Sequence, residues 1–315
     1  MTRIIGVLFI SSLLFACGQS QKLEETSDLT ISAKASYTTP LGKTFELSEP
    51  SAKLLEQYEE AKSNYESDPQ NVENLIWYGR RAAYLGRYEE AINIYSDGIT
   101  KFPKEPKLYR HRGHRFISLR EYDKAIADLE KAAQLIQGTE NEVEPDGMPN
   151  ALNIPVSTLH GNIYYHLGLA YYLTHDYEKA YEAYLKCRES GSRYDNIVSS
   201  THWLFMIQQR LHNPSKADSL LAPIHSDSTV IENQSYADLC ELYKGWILVD
   251  SLLQEGPDDP SNHAVRYGVA NWFLYNGDTS RARDLMWKMI DASSFTSFGY
   301  LAAESDLIEY FEAKK

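Results

Sequence analysis

Cysteine is scarce in this 315-residue chain, positive charge is outnumbered, and apolar runs are short. Of three cysteines, Cys17 lies in the N-terminal segment, and Cys187 and Cys240 stand 53 residues apart on different predicted helices. An oxidising compartment would permit a bridge between that pair. Neither is a candidate nucleophile. Lysine and arginine number 31 against 44 acidic residues, a formal charge of −13, and this balance disfavours a nonspecific nucleic-acid binder. The apolar run from Ile4 to Phe15 is too short to span a bilayer, and a mean hydropathy of −0.45 leaves no later span. Also missing are a glycine-rich phosphate loop, a G-x-S-x-G elbow, an H-E-x-x-H helix and an EF-hand loop. The chain therefore reads as a non-enzyme with no cofactor and no metal. Triads are recognised by geometry and not by spacing, so scattered catalytic residues escape such a scan.

What the chain does have is a period. Gly79 and Gly113, Tyr88 and Tyr122, Ala91 and Ala125, and Ile92 and Ile126 are each 34 residues apart, at matching places in a helix-turn-helix pattern. This spacing resembles the tetratricopeptide repeat, whose units stack into a solenoid. Such units carry a large residue at position 4, Leu at 7, a small residue at 8, an aromatic at 11, Gly at 15, Ala at 20, an aromatic at 24, Ala at 27 and Pro at 32. Small residues at 8 and 20 let two helices approach closely, and bulky ones fill the space to the next unit. Residues 72–105 match with Leu75, Tyr78, Gly79, Ala82, Gly86, Ala91, Tyr95, Gly98 and Pro103. Residues 106–139 match with Tyr109, Gly113, Phe116, Ala125, Leu129 and Ala132, but Arg112 replaces Leu at 7 and Arg120 replaces Gly at 15. Residues 161–194 match with Tyr164, Leu167, Gly168, Tyr171, Ala180, Tyr184 and Cys187. Cys187 takes a place usually held by a small buried residue, where a free thiol behaves as a small hydrophobe.

The resemblance implies an all-α fold, a right-handed superhelical solenoid of antiparallel helix pairs. Looser units are expected at 198–231, through Leu204 and Ala217, and at 263–296, through Ala270, Phe273, Gly277 and Ala282. Tyr236 to Leu253 reads as one long helix, stopped by Glu255-Gly256-Pro257. Phe298 to Phe311 reads as a terminal cap. The segments are then 46–71, an N-terminal capping helix; 72–194, three units broken by an insert at 140–160; and 195–315, degenerate helical repeats ending in that cap.

At the amino terminus, Leu14-Phe15-Ala16-Cys17 after a basic Arg3 and the apolar run resembles a bacterial lipobox. The resemblance implies removal of 1–16, a lipid on Cys17, usually with an added acyl chain such as palmitate, and a stable membrane anchor. Gly18 in place of Asp argues, by the same resemblance, for the outer membrane of a bacterial cell envelope. Residues 17–45 read as a flexible tether, since Gln19 to Thr38 is polar and poor in apolar residues.

In tetratricopeptide units the first helix lines the concave face, with positions 2, 5, 6, 9, 12 and 13 pointing inward. The first unit then offers Glu73, Ile76, Trp77, Arg80, Ala83 and Tyr84; the second Lys107, Arg110, His111, His114, Ile117 and Ser118; the third Asn162, Tyr165, His166, Leu169, Tyr172 and Leu173. The candidate binding residues are Trp77, Arg80, Tyr84, Lys107, Arg110, His111, His114, Tyr165, His166 and Tyr172. This wall is basic and aromatic, so a carboxylate or phosphate is the expected guest. Chaperone-binding repeats use Lys at 5 and Asn at 9 of the first unit, where this chain has Ile76 and Arg80. Arg81, Arg112 and Arg115 stand at positions that face the packed interior and need acids, which Glu142, Glu144 and Asp146 of the insert can supply. The insert is expected to fold over the wall near Arg110 to Arg115, as a lid or as a fixed plug. His111 and His114, three apart, lack a recognised zinc spacing.

Three functions fit these residues. One is a membrane-anchored scaffold for an envelope protein or peptide. Another is a binding lipoprotein for a small anionic or saccharide ligand, with Trp77, Tyr84, Tyr165 and Tyr172 as platforms. The third is a hydrolase using the histidines.

Overall fold

A computed structural model describes residues 36–47, 49–226, 229–253 and 258–312. The lipobox and residues 17–35 of the expected tether lie outside them. An antiparallel hairpin of β1 (Ser36–Thr38) and β2 (Thr44–Glu46) precedes α1 (Ala52–Ser67). Helix pairs follow: α2 (Val72–Tyr84) with α3 (Tyr88–Lys101), α4 (Pro106–Ser118) with α5 (Tyr122–Leu135), α6 (Leu159–Leu173) with α7 (Tyr177–Glu189), and α8 (Tyr194–Arg210) with α9 (Pro214–Leu220). After α10 (Gln234–Tyr243) and α11 (Val249–Leu252) comes the pair α12 (Pro260–Tyr275) and α13 (Thr279–Ile290), then α14 (Phe298–Asp306) and a π-helical turn, Leu307–Glu312. From α1 to α9 each helix packs on the next in chain order, so the architecture is an all-α, tetratricopeptide-like stack of helix pairs. No helix among the described residues is long and apolar enough to cross a membrane.

Close helix approach follows from the small residues of the repeat. A Cβ on Gly79 would lie 2.4 Å from the Tyr95 ring, and one on Gly168 2.6 Å from the Tyr184 ring. The turn between paired helices needs a left-handed residue, and position 15 supplies it throughout: φ is +75° at Gly86, +62° at Arg120, +60° at His175, +57° at His212 and +87° at Gly277. Outside glycine this conformation costs about 1–2 kcal/mol. Arg120 and His175 offset it with their side chains. Arg120 donates to Glu304 at 2.8 Å and to the Phe295 carbonyl at 2.8 Å, and His175 Nε2 lies 3.2 Å from Asp306.

Both acids belong to α14, which departs from the expected terminal cap. Gly299, Tyr300, Leu301, Ala302, Ala303, Glu304 and Asp306 are all buried, so this helix has almost no exposed face. It packs on α12 and α13 and also crosses to α6, and Phe298 at its start reaches the His114 ring at 5.5 Å. The trough between the first helices of the pairs is therefore occupied by the chain's own α14. A helix with apolar residues on all sides belongs in a core, not at a free end. Gly299 makes the approach possible, since a Cβ there would stand 2.3 Å from the His263 carbonyl oxygen.

Two further expectations are corrected. Residues 36–45 of the expected tether, with Glu46 from the expected capping segment, form the hairpin, because Tyr37 and Phe45 point to one side and stack on Phe295 at 5.3 and 4.8 Å. The single helix expected from Tyr236 to Leu253 is broken after Tyr243, where Gly245 turns left-handed at φ +72°.

The α14 clamp makes a stability prediction. Arg120→Gly restores the residue the repeat pattern favours at that turn, yet it leaves buried Glu304 unpaired. Urea unfolding should show a loss of roughly 2–4 kcal/mol, the cost of a broken buried ion pair less the backbone relief. Equal or higher stability would remove the clamp from the account.

Candidate functional site

The insert does lie over the first helices of the first three pairs, but its acids reach different cations from those expected. Glu144, 4% exposed, faces Arg110 at 3.3 Å and His111 Nε2 at 3.2 Å, and accepts from Asn162 at 2.6 Å. Glu142 lies 3.0 Å from Lys107, which also bonds Glu73 at 2.7 Å. Arg80 donates to the Pro145 carbonyl at 2.9 Å and lies over the Trp77 ring at 4.3 Å. Arg81 donates to the Gly147 carbonyl at 3.1 Å, and Gly147 sits so close to the Tyr84 hydroxyl that a Cβ would come within 1.8 Å of it. Arg112 finds its acid inside its own helix pair, in a bidentate bond to Asp128 at 2.7 Å for both nitrogens. Arg115 lies over the Tyr88 ring at 5.5 Å. The cations of the expected groove are thus held by the chain itself.

The imidazoles are neutral. Burial first, and the Arg110 charge after it, depress His111 and His166 from the ordinary 6.5 to about 3. His114 is pushed well below its usual value by burial, with Arg115 and His166 adding to it. Arg110 donates to His111 Nδ1 at 2.7 Å, which leaves the His111 proton on Nε2, toward Glu144. That carboxyl is held below the usual carboxylate range by the Arg110 charge and its hydrogen bonds, although burial alone would raise it. His166 donates from Nδ1 to the Asn162 carbonyl at 2.6 Å, so its Nε2 is a bare acceptor.

The aromatic residues are scattered more widely than the repeat positions implied. Tyr165 bonds the Tyr236 hydroxyl and accepts from Trp203, both at 2.8 Å, and its ring lies 5.9 Å from Phe298. Tyr172 is in the core, 1% exposed, bonded to Tyr267 at 2.7 Å and to Asn271 at 3.2 Å. It lines neither cavity described below. Tyr84 and Trp77 lie under the tip of the insert beside Arg80 and Arg81. Cys187 and Cys240 are both free and buried, and burial pushes the Cys187 thiol up to about 12. Among the described residues no group of three metal-ligating side chains comes together.

Open volume remains in two adjacent places. The larger cavity, about 640 Å³, lies at the amino-terminal ends of α6, α8, α10 and α12, with Phe298 of α14 on its wall. Tyr165 and His166 line it beside Asn162, Asn196, Ser199 and Tyr236. The smaller, about 440 Å³, lies under the insert between Arg80, Arg110, Asp146, Met148 and Glu232. Of the ten candidate binding residues, Arg80, Arg110, Tyr165 and His166 line one or other cavity, joined by Asn162 of the expected groove and by Glu144 and Asp146 of the insert. Asn196, Glu232, Tyr236 and Phe298 escaped notice because they come from segments that the repeat pattern does not index.

A tetratricopeptide repeat model matches residues 161–189, the α6–α7 pair. The chain carries a tetratricopeptide repeat. It is 32% identical over 111 residues to tetratricopeptide repeat protein 12 of Mus musculus, covering 35% of this chain and 13% of that protein. It is also 32% identical over 115 residues to small glutamine-rich tetratricopeptide repeat-containing protein 2 of Saccharomyces cerevisiae, covering 36% of this chain and 27% of the other. The chain thus spans well under a third of each relative. Among solved structures, a tetratricopeptide repeat protein from Parabacteroides merdae aligns with a TM-score of 0.47 at 15% identity, covering 80% of this chain and 92% of that one. YrrB, a tetratricopeptide repeat protein with an unusual peptide-binding site, aligns at 0.43 and 15% identity, covering 78% and 98%. Helix-pair stacks of this kind present surfaces to protein and peptide partners.

The buried imidazoles fix a pH dependence. Their folded pKa values lie below the unfolded one, so between about pH 6.5 and 3 the unfolded chain binds more protons and stability falls as pH falls. Each such histidine removes about 1.4 kcal/mol per pH unit in that window. Urea midpoints at pH 7 and pH 5 should separate, and His166→Gln should shrink the separation by one histidine's share. An unchanged separation in the variant would count against a neutral His166.

Proposed function

We propose that this chain is a lipid-anchored binding protein of the bacterial cell envelope, which holds a short segment of a protein partner in the 640 Å³ cavity beside α6 and α8. The observation that carries the reading is where apolar side chains are left uncovered. Four of the eight large hydrophobics exposed among the described residues, Val143, Met148, Leu152 and Ile154, belong to the insert. Val143 lines the larger cavity and Met148 the smaller. Apolar side chains left exposed around a polar opening mark a surface that a partner covers. With α14 in the trough, a whole helix cannot lie along the first helices, but an extended stretch of a few residues can enter the cavity. The anionic guest weighed from the sequence loses support, because Lys107, Arg110 and Arg80 already have partners within the chain.

Membrane anchoring rests on Leu14-Phe15-Ala16-Cys17 and outer-membrane placement on Gly18. Cys17→Ala should move the protein from the membrane to the soluble fraction; retention in the membrane would refute the anchor. For the binding site, a photo-crosslinking residue at Ser235, on the cavity wall, should capture one reproducible envelope protein. The same probe at Gln134, exposed on α5, should not, and equal capture at both positions would sink the proposal.

A further inference from the structure

The buried side chains on the walls of the two cavities leave more acceptors than donors unmet. His166 is 5% exposed and lines the larger cavity, and its Nε2 lone pair has no partner. Asn196 spends its amide nitrogen on the Cys187 carbonyl at 3.0 Å, which leaves its Oδ1 unmet on the same wall. Asp146 Oδ2 is unmet in the smaller cavity. Among the buried side-chain atoms described on these walls, the one unmet donor is Arg110 Nε. Buried polar atoms are rarely left alone in a protein, so a surplus of acceptors calls for a guest that donates.

Charge points the same way. Glu144 is held by Arg110, and Asp195 accepts from the backbone amides of Ile231, Glu232 and Asn233 at 2.7–3.1 Å. Asp146 and Glu232 have no ion pair among the described residues. Arg80, the cation acting on Asp146, has given hydrogen bonds to the Pro145 carbonyl and the Tyr84 hydroxyl, and Arg193 on the rim of the larger cavity is exposed. Burial raises both carboxyls; at Glu232 a hydrogen bond from the Asn150 amide at 2.5 Å opposes the rise and Asp146 adds to it. Both acids line the smaller cavity, a place that a cation would settle.

We infer that the peptide segment held here carries a lysine or arginine side chain, seated where the two cavities share Ser157, Asn162 and Glu232. This rests on the peptide reading above. An ammonium brings three donors and a guanidinium five, enough to meet Asp146, Glu232 and the unmet acceptors together. The charge of the guest is therefore opposite to the one that the basic repeat positions suggest.

A displayed library of random heptapeptides, panned against the full chain, tests this. Recovered peptides should be enriched in lysine and arginine over the starting library. A synthetic peptide from that pool should bind about tenfold more weakly to an Asp146→Asn, Glu232→Gln chain, a loss of about 1.4 kcal/mol. Both replacements keep side-chain shape and break no ion pair, so an unchanged melting temperature confirms the fold. The variant also keeps nearly all of the chain's net negative charge, so nonspecific attraction of basic peptides would persist in it. Equal binding to both chains, or enrichment of neutral or acidic peptides, overturns the cation while leaving the peptide reading in place. Recovery of no peptide above background overturns both.

Discussion

The burial of α14 is the constraint on which the rest of the molecule depends. Nine residues fill the space between the first helices of the stacked pairs, and two of them, Glu304 and Asp306, are carboxylates 1% and 0% exposed. Acids that deep require partners, and these come from distant places: Arg120 from the turn of the second pair, His175 from the turn of the third, and Arg210 from the end of α8. Two of these residues accept a left-handed backbone to be there. The hairpin at the start of the described residues seals the same contact through Tyr37 and Phe45 on Phe295. What could have been an open trough becomes a packed interior, and the two cavities lie where α6, α8, α10 and α12 begin and under the insert.

That rearrangement changes the electrostatics of the whole concave side. Read by repeat position, Arg80, Lys107, Arg110 and the histidines form a positive wall. In the folded chain the insert lays Glu142 and Glu144 against two of those cations, and burial keeps the imidazoles neutral. What stays unmatched is a set of acceptors and two carboxyls at the junction of the cavities. The sign of a site depends on what the chain has already neutralised.

The architecture was legible because a 34-residue period imposes itself on packing: Gly79, Gly168, Ala91 and Ala180 are small where two helices touch. The insert over the wall could also be anticipated, from the break in period and its acids. Two things could not. A helix that returns from the end of the chain to fill the trough obeys no local spacing, although Phe298-Gly299-Tyr300-Leu301-Ala302-Ala303, apolar on every side, carried the signal that it would be surrounded. Arg112 could not be paired from sequence either: Asp128 sits on the facing helix at a place the repeat pattern does not mark, while the insert offered three acids, Glu142, Glu144 and Asp146.

The left-handed turn at Arg120 has a consequence for how the chain is made. Its carboxylate lies 184 residues downstream, and the one that His175 meets lies 131 downstream. Helix pairs can form as they emerge, since their contacts are local. Their guanidinium and imidazole must then wait, solvated, for a segment synthesised near the end. Until it arrives the nascent solenoid has an unlined channel and a strained corner without its recompense, and closure comes as one late, long-range step. A ribosome stalled short of Phe298 would leave every repeat in place and the interior wet.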